Sequence, residues 1–265
     1  VLQVAKGRVG GGGELVQTFN ATSVADLYLA GIDASVPHLT AIRLMATADG
    51  DRNLVQSMEA IALRLSRAAR AVDHVLAALS NGTSTDTQRS DTAEMTAEAF
   101  DRMLLYLCAA MDRYARITKT LFDTSLDPDR QRVTLASTAE LKSVIGKFEP
   151  TDTTRLKALG AYAWVIGQLR NRIHAIPLDT RYRLSRSYGS STTVALTLDG
   201  LPELDPATTT LSQDQLDRLG VWNAQSSNPF QPRAYCADIA TVATTLFRET
   251  LQYLEEFSRF IIRNK

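Results

Sequence analysis

Two cysteines and three histidines are all that the 265 residues offer to soft-metal or thiol chemistry. Cys108 and Cys236 are far apart and make no disulfide framework or Cys-x-x-Cys pair, and no His-x-x-x-His occurs, so neither a bound metal nor a cofactor is expected. Both thiols lie within helical patterns and are expected to be buried. Charge of one sign is also missing: Lys plus Arg and Asp plus Glu are 29 each, so any phosphate must be held by a local patch. Aromatic content of 7% excludes a broad base-stacking platform. No apolar run approaches the roughly 20 residues that a membrane helix requires, and nothing resembles a signal-peptide core. A cytoplasmic location is expected. The glycine run Gly10 to Gly13 is not followed by Gly-Lys-Ser/Thr, so it is no phosphate loop.

Helical periodicity is abundant. Residues 1–22 are expected to be a flexible leader and 23–265 a single helical domain. Its N-terminal helices cover 23–80, interrupted at Pro37, and include a stripe of Leu54, Met58, Ile61, Leu65, Ala69, Val72, Leu76 and Leu79. Polar residues Asn81 to Thr92 read as an exposed loop. A second long helix carries Phe100, Met103, Leu107, Met111, Tyr114, Ile117 and Leu121. A short helix is expected over 138–147. A third long helix runs from about Asp152 through Leu159, Tyr162, Ile166 and Leu169 to a stop before Pro177. The segment 181–198 reads as a small β-hairpin, 212–225 as a short helix, and a last helix buries Tyr235, Ile239, Val242, Leu246, Leu254, Phe257 and Ile261. The expected class is all-α, with four to five main helices and an inserted hairpin.

The chemistry concentrates at the end of the third long helix, in Leu169-Arg170-Asn171-Arg172-Ile173-His174-Ala175. Arg170 and His174 are four residues apart and, on a continuous helix, about 40° from one another. A guanidinium stays charged and matches phosphate geometry, while an imidazole exchanges protons near neutrality. As a purely structural feature, the same cations complement the helix dipole. Arg172, Arg181, Arg183 and Arg186 extend the basic character toward the hairpin. Arg113 and Arg116 on the second long helix are further candidates for an RNA track, with Tyr182 and Tyr188 available for stacking. His38 reads as structural and His74 as a surface residue. Glu249, Glu255 and Glu256 read as a charged helix face.

The Arg-Asn-x-Ile-His turn, together with the earlier Ala110-Met111-Asp112-Arg113-Tyr114-Ala115-Arg116 helix and the antiparallel helical core, resembles the HEPN superfamily from about residue 93 to the C-terminus. The resemblance implies a helical, often dimeric domain. It also implies a metal-independent endoribonuclease site in which Arg170, Asn171 and His174 are catalytic, with an antitoxin or regulatory protein as a possible partner in a toxin or defence setting. In that family four to six residues separate the arginine from the histidine. Here three do, and Ala175 occupies the first position of the usual spacing. The alternative that this departure favours is a non-catalytic HEPN-like module binding a protein partner or a nucleotide.

Overall fold

The computed structural model describes residues 21–80, 86–122, 150–173, 180–185, 191–197, 203–224 and 234–263. Among the described residues, seven helices and four strands follow in the order α1 (Ala21–Ser35), α2 (Pro37–Ala48), α3 (Arg52–Ser80), α4 (Asp86–Phe122), α5 (Pro150–Ile173), β1 (Thr180–Ser185), β2 (Ser191–Thr197), α6 (Gln213–Arg218), β3 (Val221–Ala224), β4 (Ala234–Asp238) and α7 (Ile239–Arg263).

Prolines and glycines mark several helix boundaries. Pro37 opens α2, where its missing N–H costs nothing. The Glu255 carboxylate on α7 accepts from the free His38 N–H at 3.1 Å and from the His38 ring at Nδ1, so His38 ties α2 to α7. Pro150 likewise starts α5. Gly50, at φ 71, ends α2: the Asp51 N–H donates to the Ala46 carbonyl and the Gly50 N–H to the Thr47 carbonyl. The Asp51 side chain then accepts from the Leu54 N–H and caps α3. A capping box between Ser212 and Gln215 opens α6, and Gly220, at φ 68, closes it. A Cβ at Gly220 would meet Thr241 Cγ2 at 3.0 Å. Gly220→Ala should therefore lower unfolding free energy by about 1–2 kcal/mol or more in urea titration, because left-handed strain and the contact act together.

The four long helices supply most of the core. Six of the seven stripe residues expected on α4, Phe100, Met103, Leu107, Met111, Tyr114 and Ile117, are buried; the side chain of the seventh, Leu121, lies outside the described residues. On α3 the buried stripe holds Met58, Ile61, Leu65, Val72 and Leu79, but Val75 is inside while Leu76 is exposed. The α3 and α4 helices are antiparallel, since Arg113 donates to Ser57 and Arg64 to the Ala109 carbonyl. The α5 and α7 helices are also antiparallel: Arg155 pairs with Glu256 near one end, and Gly160 lies against the Tyr253 ring. Tyr114 bonds Ser258, level with the start of α5, whereas the Cys108 thiol lies 3.7 Å from the Ile166 carbonyl. Moving forward along α4 is thus moving backward along α5, and this pair is antiparallel too.

The expectation of an all-α chain holds for the multi-helix bundle and fails for the inserted element. β1 and β2 pair antiparallel from Thr180↔Leu196 to Ser185↔Ser191, but they form half of a four-stranded antiparallel sheet of order β1-β2-β4-β3. β3 takes the residues expected to end the 212–225 helix, and β4 takes Tyr235 and Cys236 from the expected last helix. Val194, Leu196 and Ala237 are fully buried, which explains the difference: short apolar runs satisfy a strand as well as a helix, and pairing decides between them. The loop expected through Thr92 is also shorter. α4 begins at Asp86, and Thr92 and Thr96 are buried, with the Thr96 hydroxyl donating to the Thr92 carbonyl. The expected leader 1–22 extends two residues too far, since Ala21 and Thr22 begin α1; residues 1–20 and the short helix expected at 138–147 lie outside the described residues.

Candidate functional site

The last two turns of α5 bring Arg170, Asn171 and Arg172 to one end of the bundle. Leu169 is fully buried and Ile173 half-buried, which anchors the turn and leaves the polar residues at its margin. Arg170 is half-buried. Its Nη1 donates to Asn171 Oδ1 at 3.2 Å, while its buried Nε has no partner among the described residues. A buried unpaired donor costs about 1–3 kcal/mol, so this guanidinium keeps a strong, unspent preference for an acceptor.

Arg172 is committed elsewhere. Its Nε stands 3.3 Å from Glu203 Oε2, in an ion pair whose alignment falls short of a hydrogen bond. Glu203 is buried beside Leu204, at the start of a segment that Asp205 folds into a tight turn and that leads into α6. That segment is tied to α5 at two points, by Glu203 near its end and by Gln215 donating to the Ala158 carbonyl. Glu203 lies between two prolines and carries no local signal of its role.

Cys108 on α4 faces α5, its thiol 3.7 Å from the Ile166 carbonyl, and Asp101 and Asp112 lie near the same side of α4 by helical spacing. Burial pushes the Cys108 thiol up to about 12, with Asp112 adding to the rise and Arg170 opposing it. Cys108 is therefore a packing residue at neutral pH, and it also reports that the Arg170 charge lies close by. The Asp101 carboxyl is pushed up to about 6, by burial first and by Glu98 second, and its Oδ1 has no partner among the described residues.

The remaining candidates divide. Arg113 turns toward α3, where it donates to Ser57 at 2.7 Å, and so does not join the Arg170 turn; it sits about 100° around the helix from Asp112. Arg116 is exposed on α4 two residues beyond Tyr114, level with the start of α5, and so is not brought to the Arg170 turn. Arg181 and Arg183 take the β1 positions opposite Ala195 and Thr193, out of step with the buried Val194 and Leu196, and their side chains lie outside the described ones. His174, Ala175, Arg186 and Tyr188 also fall outside the described residues. His74 is exposed.

The charged face expected on α7 is instead a set of buried or half-buried carboxylates, each held by a basic partner. Glu249 is 3% exposed and paired with Arg248, Glu256 binds Arg155 and Arg259, and Glu255 binds His38. Tyr162, whose hydroxyl is raised by burial and then by Glu249, lies near that end of α7. No group of three or more metal-ligating side chains occurs among the described residues, and no described helix is long and apolar enough to cross a membrane. Comparison with protein-family models, with curated proteins and with solved structures gives no match.

Proposed function

We propose that the chain is a HEPN-like, metal-independent endoribonuclease acting in the cytoplasm, of toxin or defence type, with the Arg170 turn as its active site. The observation that carries this reading is the guanidinium of Arg170, oriented by Asn171 and retaining a buried donor that no described residue uses. A planar cation with a free Nε suits a phosphate, whose oxygens accept in parallel. RNA brings its own nucleophile, the 2′-hydroxyl, so the protein needs a base, an acid and positive charge at the phosphorane. His174 supplies the base and Arg170 the charge. Arg172, Arg181, Arg183 and Arg186 lie close in sequence and serve as the RNA track, which Arg116, near the start of α5, does not join. Arg172 serves only by giving up Glu203. A homodimer that brings two such turns to one strand is part of the proposal, as is control by an antitoxin or regulatory protein.

The deciding experiment is cleavage of single-stranded RNA in EDTA, comparing wild type with His174→Ala. We expect 2′,3′-cyclic phosphate ends and a loss of about 10²–10⁴-fold in the variant. DNA cut as well as RNA, or an unaffected variant, overturns the assignment. A second reading, a non-catalytic module binding protein or nucleotide, is favoured by Ala175 standing where the usual spacing has its histidine. Inactive wild type with activity gained in Ala175→His supports that reading.

A further inference from the structure

In a chain whose charges balance, the outer face of α3 is basic. Between Ala60 and Ala78 it carries Arg64, Arg67, Arg70 and His74, and the one carboxylate in that stretch, Asp73, already accepts from the Tyr28 hydroxyl of α1. At 100° per residue the three guanidiniums sweep an arc of about 120° with His74 inside it, and the four residues span about 15 Å along the helix. Arg67, Arg70 and His74 are exposed, and Arg64 is half-buried. Two of the guanidiniums are held in place. Arg64 Nη1 donates to the Ala109 carbonyl of α4 at 2.7 Å, and the Arg67 guanidinium lies over the Tyr106 ring, 5.9 Å from its centre. None of the four forms an ion pair among the described residues.

We propose that this face binds single-stranded nucleic acid, with Arg64, Arg67 and Arg70 on the phosphates and one unstacked base lying on Arg67. A guanidinium is a planar cation, and one backed by an aromatic ring turns its other side outward to a base. Three guanidiniums along one helix face reach further than a single phosphate group, so they suit a polymer. A duplex keeps its bases stacked and leaves none for Arg67. Leu63, 44% exposed, is the one large apolar side chain within the arc, too little to enter a bilayer, so the face suits a polyanion in water rather than a lipid surface.

This face is separate from the Arg170 turn, and the proposal goes beyond the ribonuclease reading without resting on it. α4 meets α3 through Tyr106 and Ala109, and meets α5 through Cys108, which lies about 160° around the helix from Tyr106. The two basic surfaces are thus on opposite sides of α4. On the α3 side the nearest α4 carboxylate by sequence is Glu98, and it is engaged by Arg102 at 3.5 Å. DNA and RNA share the chemistry required, a charged backbone with bases free to stack.

The test is fluorescence anisotropy of the full chain with two labelled probes, 2′-O-methyl oligouridine and oligothymidine, neither of which has a free 2′-hydroxyl to be cut. Both should bind, with a slope of about −2 in log K against log salt for three phosphate contacts. Arg67→Glu with Arg70→Glu should weaken binding at least about tenfold and leave a slope of about −0.7. Both positions are exposed, so the fold should be kept, which circular dichroism checks. Arg67→Lys keeps the charge and loses the plane, and should weaken binding at least about fivefold with the slope unchanged. Arg218→Glu on α6 makes a charge change at another exposed arginine and should leave binding within about twofold of wild type. The proposal is overturned if the double variant binds like wild type, if Arg218→Glu loses as much, or if neither probe binds. Binding of phosphatidylserine vesicles in place of the probes overturns it in favour of a membrane. Wild type that binds the probes and cuts no RNA leaves this face standing and removes the ribonuclease reading; RNA cleavage with unaltered binding in the double variant does the reverse.

Discussion

Replacing Arg170 with alanine should reduce kcat/KM for RNA by at least about 10²–10³-fold, the cost of removing one fixed donor from a developing oxyanion. The loss should equal or exceed that of His174→Ala, because the phosphorane needs its charge stabilised whichever group moves the proton. Arg170→Lys should not restore the rate, since an ammonium lacks the planar fork and the Nε donor that no described residue occupies. Asn171→Ala should cost less, because it removes only the partner of Nη1. Urea titration serves as the control. Arg170 is half-buried with one side-chain hydrogen bond, so its replacement should change stability far less than activity. An Arg170→Ala protein that cleaves at the wild-type rate removes the turn from the mechanism.

The largest stability effect is expected in α7. Phe257 is 1% exposed and lies edge-on between Tyr114 of α4 and Tyr253 of its own helix, at 6.3 and 5.0 Å between ring centroids. Phe257→Ala removes the ring that bridges these helices and leaves a cavity walled by two aromatics that cannot collapse onto one another. Unfolding free energy should fall by about 3–5 kcal/mol. Phe257→Leu should cost distinctly less, because it retains most of the volume. Chemical denaturation checks both, and a loss below about 1 kcal/mol for the alanine variant would contradict this packing. Tyr253, held protonated by burial, shares the cluster and should show little titration in the native state.

The helices were legible because their signal is local. A stripe such as Phe100, Met103, Leu107, Met111, Tyr114 repeats at helical period over many turns, and only a helix places all five on one buried face. Helix ends were legible where the cause is a single residue, as at Pro37, and less so where it is a pairing partner. Nothing near Val221 announces a strand until Ala237 of β4 lies beside it. The polar start of α4 read as a loop because it shows no apolar stripe, although Thr92 and Thr96 are buried and the Thr96 hydroxyl is satisfied by the Thr92 carbonyl one turn earlier.

The candidate site divides along the same line. By itself the sequence determined that Arg170 and Asn171 would sit together at the end of a helix, because neighbours four or fewer residues apart on a helix have no freedom to separate. It also determined the supply of groups: one histidine in the motif, no metal-binding pair and no excess of charge. Only the tertiary structure decided which partners those groups meet. Arg113 was drawn off to Ser57, Arg172 was claimed by Glu203 from 31 residues further along the chain, and the α7 carboxylates took partners, with Glu249 buried against an exposed Arg248 and Glu256 paired with Arg155. Local periodicity sets which face of a helix is apolar. It carries no information about which polar residue on another helix will stand across the seam, and that choice was made by packing.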